Sequence, residues 1–159
     1  MDKVISLSAF GDVIKKPNGS SERSEEEIGD AGIYAHIFKM ALQNVAQTKL
    51  LHWQSNFYGQ HKALDGLFEG LIEHTDTLAE SIMGKYGKPV LNEDQCCLKI
   101  HNFENPEKGD LKEFMEHLYK CYAIDCKSLL DPEADPELLN IVDEIISLVD
   151  QTRYLVSLR

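Results

Sequence analysis

The stretch at residues 50–81, LLHWQSNFYGQHKALDGLFEGLIEHTDTLAES, decides how the chain folds, because it carries two stripes on one predicted helix. Leu64, Phe68, Leu71, Thr75, Leu78 and Ile82 recur at helical spacing. With His61 set to zero and about 100° per residue, they fall between about −100° and −20°. Asp65, Asp76 and Glu80 fall near 40°, 60° and 100°, so an acidic stripe adjoins the apolar one. Ile72 and Met83 are embedded in the acidic stripe. Apolar residues among carboxylates imply that this second face also meets another surface.

Spacing limits what the acidic stripe can do. His61 and Asp65 are i,i+4 neighbours, as are Asp76 and Glu80. The eleven residues from Asp65 to Asp76 span about 16 Å at about 1.5 Å per residue, too far for one metal site. The two pairs meet only if a second copy of the helix packs antiparallel about a two-fold near Ile72. His61 and Asp65 of one chain then face Asp76 and Glu80 of the other, giving two equivalent sites per dimer. His52, near the end of the preceding helix, supplies a further imidazole. Such a nitrogen and oxygen set suits non-haem iron, with manganese or zinc as alternatives. The plain alternative is a solvated acidic face, to which Glu69 and Glu73 also belong, with His52 as a core histidine and Trp53 as core.

Working outward, helix A carries Ile33, Tyr34, Ile37, Phe38, Ala41, Val45 and His52 at helical spacing and ends near Trp53. Ser24 with Glu27 fits a capping box, but Gly29 and Gly32 delay the helix until about Asp30. Ser55 or Asn56 is the expected cap of helix B, which runs to Tyr86 before Gly87-Lys88-Pro89. Residues 87–109 form a long connection with room for a short helical turn. Asp110 with Glu113 caps helix C, whose apolar set is Leu111, Phe114, Met115, Leu118, Tyr122, Cys126 and Leu129. Asp131-Pro132 ends it. Asp135-Pro136 opens helix D, with Leu138, Ile141, Val142, Ile145, Leu148, Val149, Thr152 and Leu155 on its buried face. The reading is all-α: a ferritin-like four-helix bundle with a long B–C crossover, over residues 30–159, preceded by an N-terminal tail at 1–29.

The 159 residues suit one domain. A net charge of −11 argues against general attraction to nucleic acid or anionic membrane and suits a protein that gathers cations. Residues 1–30 carry four basic against seven acidic side chains, so no polybasic tail is present. Val4–Phe10 is a short apolar patch broken by serines, unlike a signal peptide. No apolar run reaches the length of a membrane span. Cys96, Cys97, Cys121 and Cys126 form no CxxC pair and are expected as thiols, which points to the cytoplasm, or to a host cytoplasm or virion if the protein is viral.

His52-Trp53, Gly59, then His61-x3-Asp65-x10-Asp76-x3-Glu80 resembles the mini-ferritins, the Dps-type proteins that protect DNA in stressed bacteria. The resemblance implies an intersubunit ferroxidase centre with His52, His61 and Asp65 from one chain and Asp76 and Glu80 from its two-fold mate. It implies Trp53 beside that centre, oxidation of iron(II) by peroxide or oxygen, and storage of iron(III) in a hollow dodecamer. Helix order extends it over about residues 30–158, and its specific part is 52–80. The pattern HWQSNFYGQHKAL with GKYG also resembles a little-described group of tailed-phage and large-virus proteins. The gap from His52 to His61 is nine, shorter than is usual in mini-ferritins, so the A–B turn must be tight. The acidic run Asp131, Glu133, Asp135 and Glu137 sits where the family lines a three-fold pore, although helix-start acids also serve capping.

Ordinary ferritins are set aside, since no glutamate here has a histidine three residues later. Two other functions stand beside the ferroxidase. One is a structural or interaction protein, viral or not, that uses helix B to dimerise around a degenerate or purely structural metal site. The other is an all-α nucleotide pyrophosphohydrolase, suggested by Glu73-x-x-Asp76 and Glu113-x-x-Glu116.

Overall fold

The structure, a computed structural model, describes residues 30–105 and 109–158. The expected tail, its capping box and the Val4–Phe10 patch lie outside the described residues. Helix α1 spans Asp30–Gln54 and α2 spans Tyr58–Tyr86. A short α3, Glu93–Cys96, sits in the connection. Helix α4, Leu111–Lys120, continues without a break into a π-helical segment, Cys121–Cys126, and a last turn, α5, Lys127–Leu129. Helix α6 spans Pro136–Ser157. Among the described residues there is no strand, and the four long helices make an all-α bundle.

Contacts fix the directions. Helix α2 returns along α1, and Tyr34 near the start of α1 stacks on Tyr86 at the end of α2, with centroids 4.3 Å apart. The connection then climbs back beside α1. Gln43 Oε1 accepts from Lys99 N at 3.3 Å and Gln54 Oε1 accepts from Phe103 N at 2.9 Å. Between them, Gln47 both accepts from His101 N and donates to His101 O, each at 2.8 Å. Three glutamines of α1 thus give alternate residues of an extended strap the partners a neighbouring strand would give. The strap delivers the chain to the far end, so α4 runs in the same direction as α2. Helix α6 then runs antiparallel to α2, with Gly70 against Leu148 in the middle and Lys85 bonded to Glu137 at the end. A Cβ on Gly70 would stand 2.5 Å from Leu148 Cδ2, so the glycine sets how closely α2 and α6 approach.

The core is built from the predicted stripes. Leu64, Leu67, Leu71, Leu78 and Ile82 of α2 are fully buried with Phe114, Met115, Leu118 and Tyr122 and with Leu138, Val142, Ile145 and Val149 of α6. Each such aliphatic side chain contributes about 1.5–3 kcal/mol by leaving water. Phe68 is only half-buried, and Leu155 is exposed although its neighbour Val156 packs against the core. On α1 the periodic set finds Tyr34, Ile37, Ala41 and His52 but misses the polar residues Asn44, Gln47 and Thr48, which are also buried.

Two predicted caps are not made. Phe57, not Ser55 or Asn56, occupies the N-cap of α2, with no side-chain bond, and the Ser55 hydroxyl donates to Phe57 O at 3.4 Å. Asp110 already has helical angles, and its carboxylate accepts from Asn105 N at 2.8 Å instead of capping α4. The predicted stop of α2 holds: Gly87 has φ +83°, a conformation glycine reaches without strain, and its N–H bonds Met83 O. Asp135 is the N-cap of α6 with Pro136 behind it. Its buried carboxylate is spent across the bundle on the Tyr86 hydroxyl, on Lys85 Nζ at 3.0 Å and on Asp131 N at 3.1 Å.

Candidate functional site

The turn between α1 and α2 brings His52 and His61 face to face. Their rings stack with centroids 3.8 Å apart and planes 29° apart. Each histidine is tied to the other's backbone: His52 Nδ1 to His61 O, and His61 Nδ1 to His52 O, both at 3.0 Å. A carbonyl can only accept, so each Nδ1 carries the proton, and each Nε2 is left as the basic nitrogen. The short gap between the two histidines therefore does not separate them. It is what allows the reciprocal pair.

Asp65 stands one turn along α2, with Oδ1 3.7 Å from His52 Nε2. Two lysines that the sequence reading passed over also face it. Lys49 Nζ lies 3.8 Å from Oδ1, and Lys62 Nζ lies 3.4 Å from Oδ2. Desolvation pushes the Asp65 carboxyl up, but the Lys62 hydrogen bond and the charges of Lys62 and Lys49 outweigh it and hold the group below the usual carboxylate range. Lys49 is itself held over the Phe68 ring, 4.3 Å from its centroid, and 5.9 Å from that of Trp53. The signal was legible in principle, since Lys49 and His52 are three apart on one helix face.

The other half of the predicted set lies further along α2. Asp76 and Glu80 are exposed, and so is Ile72 between the two pairs, at 45%. Within one chain they do not join His52, His61 and Asp65. Among the described residues no group of three or more His, Cys, Asp or Glu side chains could hold a metal ion. Trp53, expected as core or beside the centre, is 68% exposed and points out of the bundle with Phe57 and Tyr58. Asp76 borders an open groove of about 510 Å³ between α1 and α2, with Ile37, Phe38, Leu42, Val45 and Ile72 among its walls.

The acidic run at 131–137 is engaged within the chain, in its own loop and with the end of α2. Asp131 Oδ1 accepts from Glu133 N at 2.8 Å and Ala134 N at 3.0 Å, Glu137 bonds Lys85 at 2.7 Å, and Asp135 is buried. All four cysteines are free thiols, Cys96 and Cys97 exposed, Cys121 and Cys126 buried. No helix of the described residues is long and apolar enough to cross a membrane.

The molecule is an all-α bundle whose α1–α2 turn holds a buried histidine, a half-buried one and a half-buried carboxylate together. The chain belongs to a family of unknown function, DUF5856, which matches residues 52–156 and so begins at the first histidine of the pair. No solved structure matches the chain.

Proposed function

We propose that the protein is a mini-ferritin-like iron-binding protein on a ferritin-like bundle, which oxidises iron(II) between two-fold-related copies of α2 and sequesters the iron(III). The observation that carries this reading is the reciprocal histidine tie. A histidine that ligates a metal through Nε2 commonly fixes its ring by donating Nδ1–H to a carbonyl, and both His52 and His61 do so. Asp65 adds a hard oxygen next to those nitrogens. Asp76 and Glu80, exposed on the same helix about 16 Å and more away, are the groups an antiparallel copy would bring opposite. Imidazoles hold iron(II), and the carboxylates favour the iron(III) product. Peroxide takes one electron from each of two irons and, with two protons, leaves as two waters.

Anaerobic addition of iron(II) to metal-free protein, then peroxide, tests this through ferric absorbance and particle size. Asp76→Ala with Glu80→Ala should abolish fast oxidation while leaving the helix content unchanged. Oxidation at the parent rate in that variant would sink the assignment.

A second reading has its own support. Lys49 and Lys62 already neutralise Asp65, and the groove with Trp53, Phe57 and Tyr58 offers an apolar assembly face. On that reading the protein is a structural or interaction protein whose histidine pair rigidifies the turn. Oligomers that take up no iron would select it.

A further inference from the structure

The groove between α1 and α2 has apolar walls and one charged rim. Ile37, Phe38, Leu42 and Val45 of α1 and Ile72 and Ile82 of α2 line a volume of about 510 Å³. Leu42 and Ile72, on opposite walls, are each 45% exposed. An open apolar surface rimmed by charge marks an interaction site. The negative charge lies on one side only. From residue 31 to residue 64 there is no Asp or Glu, so the α1 wall carries no carboxylate. On α2, Asp76 borders the groove, and the exposed Glu69, Glu73 and Glu80 follow within about 60° around the helix axis. Such a groove accepts apolar side chains with cations beside them.

A segment of that composition belongs to the chain itself. Residues 4–14, outside the described residues, hold Val4, Ile5, Leu7, Phe10, Val13 and Ile14, with Lys3 before them and Lys15 and Lys16 after. Lys3, Lys15 and Lys16 outnumber Asp2 and Asp12, whereas residues 17–29 have Arg23 against Glu22, Glu25, Glu26 and Glu27. The cations of the tail are thus gathered at its apolar part. Reach is sufficient. Fifteen residues, 15–29, separate Ile14 from the start of α1 at Asp30. A flexible link of that length has a root-mean-square span of about 20 Å. The α1 wall, Ile37 to Val45, lies about 10–22 Å along the helix from Asp30. Tethering at this distance raises the local concentration of the segment to the millimolar range.

We propose that residues 4–14 of the same chain dock in the α1–α2 groove, with their apolar side chains on Leu42 and Ile72 and with Lys15 and Lys16 against Asp76 and its neighbouring glutamates. Charge favours this occupant over a second copy. A copy packed about a two-fold near Ile72 brings a second row of Glu69, Glu73 and Asp76 to the first, and like charges repel until a cation separates them. The segment brings lysines instead. Segment and copy both need Ile72 and Asp76, so docking of the first holds back pairing through the second. Docking of this kind needs no iron and stands apart from the ferroxidase reading.

Hydrogen exchange of the full, metal-free chain tests this, read by mass spectrometry over a dilution series with particle size recorded. Relative to their intrinsic rates, amides of residues 4–14 should exchange about tenfold more slowly than those of 17–29, at every dilution. Ile72→Ser, at an exposed position, should erase most of that difference while the helix centres keep their protection. Lys15→Glu with Lys16→Glu, which alters no residue of the bundle, should do the same. Exchange of 4–14 as fast as that of 17–29 would overturn the docking. So would protection that either variant leaves intact, which would place the segment elsewhere. Protection that vanishes on dilution would overturn it too, since the groove would then be filled by another copy. No iron enters the experiment, so its failure leaves the iron-oxidation test of Asp76 and Glu80 untouched, and the reverse also holds.

Discussion

His117 should make the protein lose stability on mild acidification. Its ring lies in the bundle one turn before the π-helical segment, with Nε2 3.4 Å from Cys121 Sγ and the Phe114 ring stacked nearby. Burial, with a smaller contribution from the Lys120 charge, pushes it down from 6.5 to about 4. The neutral ring is thus the form the fold accepts. Above the unfolded pKa both states hold a neutral ring, and stability does not depend on this group. Between pH 6.5 and about 4 the unfolded chain binds a proton that the folded chain refuses, so stability falls as pH falls. From pH 7 to 4.5 the loss is about 2 kcal/mol. With a urea slope of about 2 kcal/mol/M, the midpoint should move down by about 1 M. The assay is urea unfolding of the parent and of His117→Gln at both values. Carboxylates titrate in both proteins and cancel in the difference. The variant is to lose about 1 M less than the parent, whatever its stability at pH 7. Equal losses would refute the reasoning, because they would mean that His117 takes up its proton in the folded state.

Three further outcomes are expected. Replacing Lys49 by Met should tighten cobalt(II) binding several-fold, since an ammonium group 3.8 Å from Asp65 Oδ1 competes with any cation there; unchanged or weaker binding in calorimetry would separate Lys49 from the site. Gln47→Leu leaves the N–H and C=O of His101 without their partners, costs about 2 kcal/mol, and should raise hydrogen exchange at His101 and Phe103 while the helix centres stay protected. At the far end of the bundle, desolvation pushes Asp135 up but the Tyr86 and Lys85 bonds hold it below the usual carboxylate range. Its contribution is therefore present above about pH 4 and lost as pH falls through the folded value, and Asp135→Asn should flatten acid unfolding in that window.

The helices were largely legible because burial imposes a 3.6-residue period on side-chain polarity. The stripe on α2, the end of that helix at Tyr86 and the Asp135-Pro136 start of α6 follow from local rules alone. The glutamines of α1 were not legible. Gln43, Gln47 and Gln54 lie outside the apolar pattern of α1, and only the strap that passes beside them turns them into backbone partners. The π-helical segment is equally silent in sequence, since Leu118, Tyr122 and Cys126 keep ordinary four-residue spacing across it.

The same division runs through the candidate site. Spacing alone was enough to give an all-α chain with His61, Asp65, Asp76 and Glu80 along one side of one helix, because helical geometry converts spacing into angle. It also determined that Asp65 and Asp76 are too far apart for one site, since rise per residue is a property of the helix. Only the tertiary structure decided that the tight turn joins His52 and His61 through each other's carbonyls, and that Lys49 and Lys62 share Asp65. It alone decided that Trp53 faces outward while Asn44 faces inward. Those outcomes depend on which helix packs where, and a residue's own polarity does not encode its neighbour across the bundle.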